Sequence, residues 1–145
     1  MNKISVTKIL VIVIVVLAAG YLIIRVAPDF FAGENRRSQK FLSNVAAEIN
    51  RSLPVMIDRE TELLLTAGAE GVLIYNYRLV NFSAAQLDPK KFATAAKQQV
   101  TQGACATAET REGYLKKGIT LRYSYYDKEK QHIATVDVRP SDCGF

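Results

Sequence analysis

Hydrophobic positions follow two regimes along this chain. From Ile9 to Ile24, sixteen consecutive residues carry no charge and are almost all aliphatic. From Asn35 onward apolar residues recur instead at three- and four-residue spacing or alternate with polar ones. Those are the marks of amphipathic helices and half-buried strands.

The clearest stripe is Phe41, Leu42, Val45, Ala46, Ile49 and Leu53, which predicts a helix over Asn35 to Leu53. Asn35 can cap its start, and Pro54 forbids continuation. Two strands are expected next, Thr61 to Ala67 and Val72 to Asn81, with the turn in Ala67-Gly68-Ala69-Glu70-Gly71. In the second strand Leu73, Tyr75, Tyr77 and Leu79 share one face, because successive side chains alternate.

Asp88-Pro89 opens a second helix, Asp as N-cap and Pro in the first turn. Phe92, Ala95, Ala96, Gln99 and Val100 form its modest stripe, and Gly103 is read as its end. Thr107 to Lys117 reads as a short third helix, stopped at Gly118. Strands at Ile119 to Tyr126 and His132 to Val138 close the chain around a charged turn, Asp127 to Gln131. The predicted order is α-β-β-α-α-β-β. It implies a small α+β domain in which a four-stranded antiparallel sheet is packed by two or three helices, following an N-terminal transmembrane helix.

The long apolar run admits two readings. A secretory signal would need a small-residue cleavage site, yet Tyr21-Leu22-Ile23-Ile24 continues the run beyond Leu17-Ala18-Ala19. An uncleaved anchor needs about 17–25 apolar residues, which Val26 and Ala27 supply if Arg25 snorkels. The chain is therefore divided into an anchor at 1–27, a hinge at 28–34 and a domain at 35–145. Lys3 and Lys8 lie before the run; Arg25, Arg36, Arg37 and Lys40 follow it, so positive charge alone does not orient the span.

The cysteines bear on orientation. Cys105 and Cys143 lack C-x-x-C spacing, and with one histidine in the chain they lack the partners of a zinc site. They read either as a disulfide in an oxidising compartment or as two unrelated buried thiols. The disulfide reading favours a single-pass protein with a cytoplasmic N-terminus and a domain outside the cytosol.

Composition changes little else. The 145 residues are 49% hydrophobic and 23% charged, too rich in aliphatics and tyrosine for disorder. The net charge is +5, but Lys3 and Lys8 contribute two of those charges and the rest disperse among acids, so no nucleic-acid partner is expected. No phosphate-binding loop, dinucleotide fingerprint, nucleophile elbow or zincin motif occurs, and no catalytic residue, metal or cofactor is assigned. His132 sits beside the charged turn and reads as a surface residue. Asp58, Glu60 and Glu62 alternate along what reads as a strand, the basis of an alternative reading as a carboxylate-dependent envelope enzyme. Tyrosines crowd the strands, and Tyr77 and Tyr123 beside Arg78 or Arg122 form a candidate protein-binding patch.

The stretches Leu53-Pro54-Val55-Met56-Ile57-Asp58, Tyr75-Asn76-Tyr77 with Leu79-Val80-Asn81, and Gly118 to Asp127 with Cys143 resemble small bacterial proteins that pair one N-terminal anchor with a compact extracytoplasmic domain. That resemblance implies a bacterial envelope setting and no activity; with it, the expected location is a bacterial inner membrane, with a periplasmic domain. Pilins are also similar in plan, but the Gly-Phe processing site and an acid within the apolar run are missing. The expected function is a non-enzymatic, membrane-anchored domain that binds an envelope protein as an accessory or regulatory component. A pilin-like subunit stands beside the enzyme as an alternative.

Overall fold

The computed structural model describes residues 39–145. The expected anchor at 1–27, the hinge at 28–34 and the cap at Asn35 lie outside them. Helix α1 covers 39–50 and is followed by β1 (Val55–Met56), β2 (Thr61–Ala69) and β3 (Val72–Leu79). Then come helices α2 (Pro89–Ala106) and α3 (Ala108–Gly113), a 3-10 turn at Leu115–Lys117, β4 (Thr120–Tyr126) and β5 (His132–Val138). The chain closes on a 3-10 turn at Pro140–Cys143.

The α+β class holds, but the sheet is five-stranded and mixed, in the order β1-β2-β3-β4-β5. Both expected hairpins form and are antiparallel. They meet along β3 and β4 in parallel, with Tyr75 opposite Tyr123 and Tyr77 opposite Tyr125. The reason lies in the connection. Parallel neighbours need a long crossover, and α2 with α3 provides one. Alternation along a strand is the same in both directions, so the hydrophobic pattern alone does not set the sense of that pairing. The extra strand, β1, pairs only through Val55 with Leu63 and Met56 with Glu62.

The register fixes the faces. Leu73, Tyr75, Tyr77 and Leu79 share one face with Leu121, Tyr123, Tyr125, Ala134, Val136 and Val138, and that face carries the core. Leu42, Leu73, Leu115, Leu121 and Val138 are wholly buried there.

Helix α1 crosses β2 at Gly68, so closely that a Cβ at that position would stand 2.2 Å from the Leu42 carbonyl carbon. The α-helical span ends at Asn50, and i→i−3 bonds from Arg51, Ser52 and Leu53 carry a tighter turn up to Pro54. The Asn50 amide turns to β2. Its Nδ2 donates to the Thr66 carbonyl at 2.9 Å, and its Oδ1 accepts the Thr66 N–H at 2.7 Å. Thr66 Oγ1 also donates to the Ala46 carbonyl at 3.1 Å. The β2–β3 turn is shorter than expected, Glu70–Gly71 alone, with Gly71 at φ +66°, where only glycine is free of strain.

Helix α2 starts as its sequence dictates. Asp88 Oδ1 accepts the N–H groups of Lys90 and Lys91, and Pro89 takes the first turn. It runs through Gly103 to Ala106, a turn longer than expected. Its far half is stapled to the end of the chain. Cys105 and Cys143 form a disulfide with Cα atoms 5.4 Å apart, and the Lys97 ammonium binds both the Asp137 carbonyl and the Asp142 carboxylate.

Candidate functional site

On the core face of the sheet a groove of about 500 Å³ runs between α2 and the turn that links β1 to β2. Its α2 wall is a continuous stripe: Phe92, Ala95, Ala96, Gln99, Val100, Gly103, Ala104 and the capping Thr107. These positions repeat at helical spacing, and from Phe92 to Thr107 they extend about 22 Å. Alanine and glycine dominate the stripe, so a bound chain can approach the helix closely. Gly103 is open, with nothing within 4 Å of where a Cβ would stand. The opposite rim is Ile57, Asp58 and Thr61.

Tyr77, Tyr123 and Tyr125 make the floor. Direct pairing across β3 and β4 stacks the rings. Tyr75 lies 5.3 Å from Tyr123, Tyr77 lies 5.5 Å from Tyr125, and Tyr77 lies 6.2 Å from Tyr123, all within 21° of parallel. Phe92 meets Tyr125 edge-on at 5.1 Å. Burial pushes the Tyr77 and Tyr125 phenols up to about 12, neighbouring Tyr77 adding to the shift at Tyr125. Tyr75 and Tyr123 are raised further by burial and by surrounding phenols. The floor is thus uncharged throughout the physiological range, an apolar surface carrying hydroxyl groups.

Asp58 shapes the rim. Its Oδ1 accepts the N–H groups of Glu60 at 2.8 Å and Thr61 at 2.7 Å, closing the turn before β2. Those backbone donors hold its carboxyl below the usual carboxylate range, the Glu60 bond contributing most. Asp58, Glu60 and Glu62 do not line one strand face as expected, because residues 57–60 bend and the strand begins only at Thr61. Glu62 pairs with Arg78 across β2 and β3. No shared carboxylate site results.

The expected patch is divided by the pleat. Tyr77 and Tyr123 lie on the core face, whereas Arg78 and Arg122, one residue along each strand, lie on the other. Arg122 there makes a two-pronged pair with Asp137, at 2.8 and 2.9 Å. That pairing holds the Asp137 carboxyl below its usual range. The tyrosines belong to the groove and the arginines do not.

His132 is exposed, as expected of a surface residue, and pairs with Tyr126 across the sheet. Its Nε2 lies 2.9 Å from Thr135 Oγ1, and no carboxylate among the described residues bonds to it. Among the described residues no group of three or more His, Cys, Asp or Glu side chains is placed to hold a metal ion. Nor is any described helix long and apolar enough to cross a membrane.

The α2 stripe had a signal in the sequence. Its spacing continues past Gly103 through Ala104 and Thr107, which marks Gly103 as part of a helix face rather than a stop. The turn-forming role of Asp58 had a weaker one, an Asp two and three residues ahead of the N–H groups it caps.

No family model matches this sequence, nor does any curated protein. Solved structures do share its fold. A Pseudomonas aeruginosa protein classed as secreted is 20% identical with a TM-score of 0.63, over 75% of this chain and 95% of its own. The type 2 secretion pilotin EpsS of Vibrio vulnificus is 16% identical with a TM-score of 0.62, over 79% of this chain and 98% of its own. The type II secretion pilotin AspS of Vibrio cholerae is 17% identical with a TM-score of 0.59, over 78% and 98%. The described domain therefore has the fold found in these small secreted and secretion-system proteins.

Proposed function

We propose that this chain is an extracytoplasmic accessory protein whose α2 groove holds an apolar helical segment of another envelope protein. The observation that carries the reading is the unbroken α2 stripe, about 22 Å long, above a neutral tyrosine floor. A groove of that length fits a helix of about fifteen residues, and the small residues of its wall let a helix settle deeply. The tyrosines of the floor and Phe92 of the wall are side chains of the kind that commonly anchor protein contacts.

Two further facts support the setting. The Cys105–Cys143 disulfide suits an oxidising compartment. Pilotins of type II secretion systems share the fold, which suits an accessory role in envelope machinery. In this reading the Ile9–Ile24 run anchors the chain in the inner membrane, the N-terminus is cytoplasmic and residues 28–34 form the tether.

Photo-crosslinking in intact cells tests it. A crosslinker replacing exposed Gln99, in the groove, should yield one discrete adduct with an envelope protein. One replacing Thr135, on the other face of the sheet, should not. Gly103→Trp, which fills the groove from an open position, should abolish the Gln99 adduct. Equal adducts from both sites, or an adduct that survives Gly103→Trp, would refute the reading.

A further inference from the structure

The electrostatics of the groove go further, on the premise that it takes a helical segment. Sixteen of the described residues line it, and apart from the tyrosines Asp58 is the sole ionisable one among them. Thr61, Gln99, Thr107 and Thr110 supply neutral polar edges, and the phenols of the floor stay protonated. Asp58 spends Oδ1 on the Glu60 and Thr61 amides, and no lysine or arginine among the described residues pairs with its carboxylate. Arg59 and Glu60, in the same turn, offset each other and do not line the groove.

Asp58 also has a defined place along the groove. Thr61 pairs with Leu79, beyond the pair of Tyr77 with Tyr125, and Phe92 in the second turn of α2 packs on Tyr125. The lone negative charge therefore stands at the end where α2 begins. A wholly apolar occupant would leave that charge without a partner beside a surface from which water has been displaced. A segment with an acid at that end would meet like charge at close range.

We propose that the groove selects an amphipathic helix carrying a lysine or arginine at the end that lies beside Asp58, and that this pairing is its specificity determinant. The apolar stripe supplies affinity; the single cation selects among apolar helices and fixes which end lies at the start of α2.

The probes are three fluorescent fifteen-residue amphipathic peptides with identical apolar faces, ending at both termini in lysine, in glutamine or in glutamate. Binding to the full-length protein is followed by anisotropy. At low ionic strength the lysine peptide should bind about threefold tighter than the glutamine peptide, the scale of an exposed ion pair, and the glutamate peptide should bind weakest. The lysine preference should vanish at about 1 M salt, where the screening length is about 3 Å. It should also vanish in Asp58→Asn, whose side-chain oxygen can still accept the Glu60 and Thr61 amides and keep the turn. Equal binding of the three peptides, or a lysine preference that persists in Asp58→Asn, overturns this inference and leaves the groove reading standing. If no peptide binds, or if binding survives Gly103→Trp, the groove reading itself falls. A fluorescent fatty acid bound in competition with none of the peptides, yet lost in Gly103→Trp, would assign the groove to a lipid instead.

Discussion

Gly68→Ala adds one methyl group where β2 passes beneath α1, and its consequence can be worked from the contact distances. The new Cβ would lie 2.2 Å from the Leu42 carbonyl carbon, 2.3 Å from the Ser43 nitrogen and 2.5 Å from the Leu42 oxygen. All three are backbone atoms, so no side chain can rotate away. Ordinary contact begins near 3.4 Å, which requires α1 to lift by about 1.2 Å. Such a shift pulls Leu42 out of full burial and stretches the bonds that Asn50 and Ala46 make with Thr66.

Partial loss of a buried leucine costs about 2 kcal/mol, and the three weakened hydrogen bonds together about 1–2 kcal/mol. A total near 3–4 kcal/mol follows, a melting temperature lower by roughly 15 °C for a domain of this size. The assay is chemical denaturation followed by far-UV circular dichroism and tyrosine fluorescence. Gly103→Ala is the internal control, the same substitution at an open helical position, where it should stabilise by about 0.5–1 kcal/mol. A Gly68→Ala cost below about 1 kcal/mol would refute the close approach of α1 to the sheet.

Further outcomes follow from the same contacts. Asn50→Ala removes both side-chain bonds to the Thr66 backbone and should cost about 1–3 kcal/mol in denaturation, with faster amide exchange at the end of α1. The double variant Cys105→Ser, Cys143→Ser opens a closure spanning 38 residues and should cost about 4 kcal/mol in the chain-entropy model; thiol labelling of the untreated protein should find no free cysteine. The tyrosine ladder predicts alkaline instability. A phenol whose folded pKa is raised contributes stability that is fully present below its unfolded pKa of about 10 and is lost as pH rises toward about 12. Loss of ellipticity and the appearance of tyrosinate absorbance should therefore coincide between about pH 10 and pH 12. Titration of all the tyrosines near pH 10 in a folded protein would contradict the burial of the ladder.

Much of this architecture is written in local chemistry. The Asp88-Pro89 start, the alternation of β3, β4 and β5 and the two hairpins each depend on residues close in sequence, and each forms where the pattern places it. Elements that depend on distant partners were not legible in the same way. The parallel pairing of β3 with β4 is decided by where α2 and α3 return the chain, which hydrophobic alternation does not encode. The bonds that tie the end of α1 to the sheet run from Asn50 to Thr66, sixteen residues away.

The candidate site divides along the same line. Tyr77 and Tyr123 are recognisable as strand aromatics, but their grouping with Arg78 and Arg122 ignores the pleat, which sends adjacent residues to opposite faces. The groove itself needs three segments to come together: the α2 stripe, the tyrosines of β3 and β4, and the turn at Asp58. The first two have sequence periods of their own, but neither period says that the three segments meet. Reading Gly103 as a helix stop hides the last three positions of the α2 stripe, Gly103, Ala104 and Thr107, because glycine marks helix ends more often than interior faces.

Hydrogen exchange of the full-length protein, alone and joined to the partner captured at Gln99, tests the groove most directly. Binding in the groove should slow exchange along residues 92–107 of α2 and in the 57–61 turn. Residues Arg78, Arg122 and Thr135, which mark the opposite face of the sheet, should be unchanged. Protection centred on that opposite face, with α2 unaltered, would contradict the groove as the binding site.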